Sequence, residues 1–192
     1  MANSFEPGAH LKIFRQLQGV IPYYHHCIYI DDQEVIEFGG GHLFDLGATH
    51  VRTVSLSDFE DGGKAELVQH PITWMGQTYS PAGPPEQIID RTRWLLDNQP
   101  PTYWVAHRNC EYIANWCATG DFESFQTKGA IAGKAILLDV PFLIGMRKLS
   151  PRARNVLAAA AIGLTLVSAV PYIHDSRLPK HLRTYPGLRA AS

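Results

Sequence analysis

The stretch "HRNCEYIANWCATG", residues 107–120, holds two of the three cysteines in the chain. Asn109 reads as a helix N-cap, Cys110 as a residue of the first turn, and Gly120 as the stop. The free N–H groups and the dipole at a helix N-terminus favour an anion there, and Arg108 and His107 add positive charge. Two readings of Cys110 are open. It is a nucleophilic thiol, or it fills an inward face together with Ile113, Ala114 and Cys117. Cys117, two turns deeper, reads as a core residue.

A thiol nucleophile needs a base within hydrogen-bond reach, and the base needs an orienting partner. The histidines are His10, His25, His26, His42, His50, His70, His107, His174 and His181. Most stand in polar loops, but His25 and His26 lie in "YYHHCIYI" (23–30), a strand by its Tyr and Ile content. Alternation puts His25, Cys27 and Tyr29 on one face and His26, Ile28 and Ile30 on the other, so only one of the two histidines can face the helix. "DDQ" (31–33) is a turn and "EVIEF" (34–38) a returning strand. A three-residue loop sets Ile30 opposite Glu34, Cys27 opposite Glu37 and His25 opposite Gly39. His25 and Glu37 are then diagonal neighbours on one face. A two-residue loop puts them on opposite faces. In the first register Glu37 can fix one tautomer of His25; otherwise it is a solvated strand residue. Metal binding by His25, His26 and Cys27 is disfavoured, because alternating side chains cannot converge on one ion.

These residues need elements to carry them. The chain has 192 residues, enough for one cored domain and an appendage. With 45% hydrophobic and 18% charged residues it is globular rather than disordered. "HLKIFR" (10–15) and "VRTVSL" (51–56) read as further strands. Pro84 and Pro85 open a helix through "EQIIDRTRWLLDN", where Ile88, Thr92, Leu95 and Leu96 share a face, and Pro100 and Pro101 close it. No internal repeat is visible. The odd cysteine count, and an N-terminus that meets Pro7 and Gly8 before any apolar run, lead us to expect a reducing, cytoplasmic setting without a disulfide framework.

Charge divides the chain at residue 147. Residues 1–146 carry −8, and 147–192 carry +7. We read the first part as the domain and the second as a basic tail that meets something anionic. Within the tail, 155–173 ("NVLAAAAIGLTLVSAVPYI") has no charge, and as a helix it rises about 28 Å, close to a bilayer's hydrocarbon thickness. Basic residues on both flanks suit anionic headgroups better than nucleic acid. The other readings are a buried core helix or a weakly anchored hairpin.

"RNCEYIANWCATG" resembles the Asn-Cys-Glu signature of the lecithin:retinol acyltransferase (LRAT, or NC-domain) family. "HHCIYIDDQEVIEF" is similar to that family's histidine-bearing hairpin, "PGAHLKIFR" to its Pro-Gly-Asp opening strand, and "EQIIDRTRWLLDN" to the helix before the cysteine. The resemblance spans roughly residues 7–135. It implies an α+β fold of permuted papain or NlpC type: a small antiparallel sheet packed against helices, with a C-terminal hydrophobic anchor. It further implies acyl transfer or hydrolysis on phospholipids through a cysteine thioester. Cys110 takes the place of the nucleophile and His25 that of the base. Glu37 falls where the family has a second histidine, and as a carboxylate it can orient imidazole. Ala9 replaces the family's Asp, and Cys27 stands where Gly or Ala is usual. No cofactor is implied. The alternatives are an NlpC-type peptidase or amidase using the same dyad, and a non-catalytic membrane scaffold with a degenerate site.

Overall fold

The computed structural model describes residues 5–17, 21–39, 50–99, 109–134 and 182–188. Five strands form one antiparallel sheet: β1 (His10–Leu17), β2 (Ile21–Asp31), β3 (Glu34–Gly39), β4 (His50–Val54) and β5 (Glu66–Leu67), in the order β4–β3–β2–β1–β5. β6 (Thr73–Trp74) and β7 (Gln77–Thr78) make a separate hairpin. The helices are α1 (Leu56–Glu60), α2 (Pro85–Asp97), α3 (Cys110–Thr119) and α4 (Phe125–Lys134), with short 3-10 turns at Leu182–Thr184 and Pro186–Leu188. The α+β class expected from sequence is the class observed.

Alternation on the central strands gives the sheet two apolar sides. Ile28, Ile30, Ile36, Phe38 and Val51 pack against Ile88, Leu95, Ile113 and Trp116 of α2 and α3. On the other side Leu11, Ile13, Cys27, Tyr29 and Val35 pack against Leu56 and Phe59 of α1. α3 is buried all round: every side chain from Cys110 to Ala118 is inside, Glu111 and Asn115 included. Its inward face is therefore wider than the Cys110, Ile113, Ala114 and Cys117 stripe. α2 and the chain's C-terminal end close over it. Leu182 is fully buried, and the Tyr185 ring meets Trp94 and Trp116 edge-on.

Two sequence expectations need correction. The strand read over 51–56 stops at Val54, because Ser55 caps α1: its Oγ accepts from the Asp58 N–H at 3.1 Å. The β2–β3 loop has two residues, Asp32 and Gln33, since Asp31 pairs with Glu34. A bulge between Tyr29 and Asp31 then adds one residue to β2 and brings Cys27 opposite Glu37. The register that the three-residue loop implied is thus reached through a shorter turn plus a bulge. The hydrophobic segment 155–173 lies outside the described residues. Among the described residues no helix is long and apolar enough to cross a membrane.

On the α2/α3 side of the sheet, three imidazoles form a chain. His26 Nδ1 lies 2.8 Å from His10 Nε2, and His10 Nδ1 lies 3.0 Å from His70 Nε2. Burial is the main force lowering the proton affinity of all three rings; for His26 the value falls to about 3, with His25, Lys12 and His70 adding to the effect. An unfolded histidine keeps a value near 6.5, so the unfolded chain takes up more protons. The contribution is present above pH 6.5 and is lost as the pH falls towards 3. Wild-type protein is expected to lose on the order of a few kcal/mol through this window, beyond its carboxylates' share. A His10→Leu/His26→Leu variant should lose less between pH 7 and 4.5 in urea melts. Equal losses in the two proteins would show that the chain does not sense pH.

Candidate functional site

The N-terminus of α3 is fixed before the thiol is considered. Asn109 Oδ1 accepts from the N–H groups of Glu111 (3.0 Å) and Tyr112 (3.1 Å), as its type and position predict. Asn109 Nδ2 in turn donates to Ser124 Oγ and Thr127 Oγ1. The Glu111 carboxylate accepts from Ser124 Oγ and from the Gln126 N–H at the start of α4. Burial pushes the Glu111 pKa up, and these hydrogen bonds work against that rise. Gln126 then closes on β2: its Oε1 accepts from the Tyr24 N–H at 2.6 Å, and its Nε2 donates to the Tyr24 carbonyl at 2.9 Å. The Cys110 Sγ lies 3.8 Å from that same carbonyl oxygen. The thiol is therefore held level with the backbone of β2, one residue before His25.

His25 sits close enough to the Cys110 sulfur for the sulfur to act on the charge of its ring. Its Nε2 lies 2.6 Å from Glu37 Oε2, so Nδ1 is the nitrogen left for the sulfur. The ring also rests against Phe59, with centroids 5.6 Å apart. The second Glu37 oxygen, Oε1, accepts from Arg52 Nε at 2.8 Å and lies 2.6 Å from Arg52 Nη2. Cys110, His25 and Glu37, far apart in sequence, form one connected group, and Arg52 extends it.

The electrostatics follow from these contacts. Burial opposes charge on His25, but the Cys110 sulfur and the Glu37 carboxylate outweigh it and push the ring up to about 10. Burial likewise pushes Glu37 up, and His25 and Arg52 more than reverse this, holding it below the usual carboxylate range. Burial raises both other thiols, Cys117 to about 12 despite opposing help from Thr92 and Arg91. All three cysteines are free.

Facing the helix layer is not what brings a histidine to Cys110. His26 shares its face with Ile28 and Ile30, which pack against α3, yet its Nδ1 goes to His10. His25 lies on the α1 face and still meets the sulfur, at the end of β3. Continuing the β2–β3 register by two residues puts Gly39, the last residue of β3, across from His25. Arg52 and Gln126 escape the sequence reading, and Glu111 enters it only within the Asn-Cys-Glu signature, without a role of its own. Arg52 had no signal, because nothing in 40–49 fixes the β3–β4 register in advance. Glu111 carried one, as an acid in the first turn of an otherwise buried helix. His42, His107 and Arg108 lie outside the described residues. Among the described residues no group of three His, Cys, Asp or Glu side chains is placed to hold a metal ion.

A buried helix with cysteine at its first position, laid on an antiparallel sheet that supplies imidazole and carboxylate, defines the class as a thiol–imidazole α+β domain. The chain belongs to the lecithin retinol acyltransferase family, whose family model matches residues 3–123. No curated protein matches the chain significantly. Family membership points to acyl-transfer chemistry.

The Gln126 clasp is testable by itself. Gln126→Ala removes both hydrogen bonds to Tyr24 and should cost about 1–2 kcal/mol. The Tyr24 amide should exchange with solvent at least tenfold faster in the variant. Unchanged exchange would mean that α4 does not hold β2 at this point.

Proposed function

We propose that the protein is a cysteine-dependent acyltransferase or phospholipase acting on fatty-acyl esters of phospholipids. The observation that carries the reading is the single ring, His25, set between a thiol at a helix N-terminus and a carboxylate. His25 holds the proton taken from Cys110, so that thiolate and imidazolium stand as an ion pair, and the thiolate attacks the ester carbonyl while the carbonyl π electrons move to oxygen. The Cys110 backbone N–H and the dipole at the start of α3 favour that oxyanion. Collapse breaks the bond to the glycerol oxygen, which leaves with the proton from His25 as a lysolipid alcohol. S-acyl-Cys110 remains. Water, an amine or an alcohol then attacks the thioester while His25 takes its proton. The thiolate is released beside the protonated His25, and the product is a fatty acid, an amide or a new ester. Glu37 orients His25 and balances its charge.

Incubation with phosphatidylcholine should add one acyl chain to the wild-type mass and release lysolipid. Cys110→Ala should do neither, and Glu37→Gln should slow adduct formation on the order of tenfold. A wild-type protein that gains no acyl mass and yields no lysolipid would falsify the scheme and leave the scaffold reading in its place.

We further infer that the protein works at a lipid surface, in the cytoplasm, through the basic and apolar stretch 147–192. Support comes from the uncharged run at 155–173 and its basic flanks. The described residues run to Lys134 in α4 and resume at Leu182, which is packed in the core. Contact with a bilayer then begins and ends on the domain's own side. Tags at the two termini should be digested together by protease added to that side of sealed vesicles. Protection of the C-terminal tag alone would overturn this topology.

A further inference from the structure

Glu37 is a buried acid whose two oxygens have separate partners. Oε2 meets His25, and Oε1 receives both contacts from Arg52. Arg52 stands directly across from Glu37 in the β3–β4 register, so the two side chains project from neighbouring strands on one face. The carboxylate lies close over the end of β3. A Cβ at Gly39 would come within 3.0 Å of Oε1 and 3.4 Å of His25 Cε1. Room exists for the carboxylate and the ring because residue 39 has no side chain.

The groups facing Glu37 differ in how they hold charge. β2 contributes His25, with Tyr23 and the Cys27 thiol nearby, and Cys110 of α3 lies beyond His25. Arg15 of β1 neighbours Tyr23 and donates to the Phe59 carbonyl, while α1 presents the uncharged Phe59 ring. β4 contributes Arg52. A ring that gives up and regains a proton during turnover is an intermittent counterion. A guanidinium does not titrate in this range. It also directs two N–H groups at one acceptor, which a lysine cannot do in the same way.

We propose that Arg52 is a positioning residue: it holds Glu37 charged and in one orientation, so that Oε2 fixes His25 against Cys110. The proposal rests on the reading of Cys110 and His25 as nucleophile and base, and it adds a residue that never touches substrate. Arg52 is the steady charge of the site, present in every protonation state of His25. Its loss leaves burial opposed by His25 alone, so Glu37 should take up a proton at higher pH than in the wild type.

The test compares wild type with Arg52→Gln and Arg52→Lys. Three readouts are taken: the 13C titration of the Glu37 carboxyl, the low-field imidazole proton of His25, and the pH profile of Cys110 acylation by phosphatidylcholine. In Arg52→Gln the Glu37 midpoint and the acid limb of the profile should both rise by about one pH unit. The imidazole proton signal should broaden, and kcat should fall about tenfold with KM unchanged. Lysine should restore the midpoint but only part of kcat. If Arg52→Gln fails to fold, Arg52→Lys carries the comparison through the imidazole signal and the kcat loss. Unchanged carboxyl titration and imidazole signal in the folded variants would overturn the proposal. A wild type without acylation, in which the Glu37 midpoint still rises on substitution, defeats the enzymatic reading and leaves the positioning role standing.

Discussion

A helix with no exposed side chain from Cys110 to Ala118 has no freedom to slide. The other features of the site depend on that constraint. At its far end Arg91 donates to the Cys117 carbonyl at 3.1 Å, and Gly120, at φ 85, ends the helix in a left-handed turn. At its near end Asn109 and Glu111 tie it to α4, and Gln126 of α4 ties it to Tyr24. The first residue of the helix inherits this rigidity. Cys110 does not find β2 through a flexible side chain; core packing decides where the sulfur stands.

The β2 strand carries two unlike polar systems on its two faces, one residue apart. His25 points to the α1 side and joins Glu37 and Arg52. His26 points to the α2/α3 side and joins His10 and His70. A register slip of one residue would exchange the two rings and destroy both systems. The bulge between Tyr29 and Asp31 prevents this, because it reconciles a two-residue turn with the pairing of Cys27 and Glu37. A local irregularity near the turn thus settles which histidine meets the cysteine several residues away.

Some of this was legible in the sequence and some was not, for physical reasons. α3 was legible because its cap and stop are local: Asn109 and Gly120 bound a run of one character. The β2–β3 pairing was legible in outcome but not in route, since a bulge leaves no compositional mark. Ser55 was readable as a cap but was absorbed into a strand by the Val and Thr before it. α1, α4 and the β6–β7 hairpin are short or weakly periodic, and tertiary contacts such as Trp74 and Tyr79 against Phe125 hold them. Leu182 and Tyr185 sit in a basic tail, and nothing local shows that they close the core around Trp94 and Trp116. The candidate site divides the same way. Cys110 announces itself through its own helix, whereas Arg52 becomes visible only when β3 and β4 are laid side by side.

His25 and His26 provide an internal control on what sets charge in this protein. They are adjacent in sequence, lie on one strand, and both suffer the penalty of burial. One is pushed up to about 10 and the other down to about 3. Burial has the same sign for both, so it does not account for the difference. The partners do: His25 faces an anion and a sulfur that favour its proton, while His26 faces other imidazoles and feels Lys12, all of which disfavour it. A ring that holds a proton beside a thiol is suited to deliver it to a leaving oxygen. A ring kept neutral among its own kind is suited to bind one strand to another. The same residue type thus serves chemistry on one side of the sheet and cohesion on the other, and the acceptor within reach selects between them.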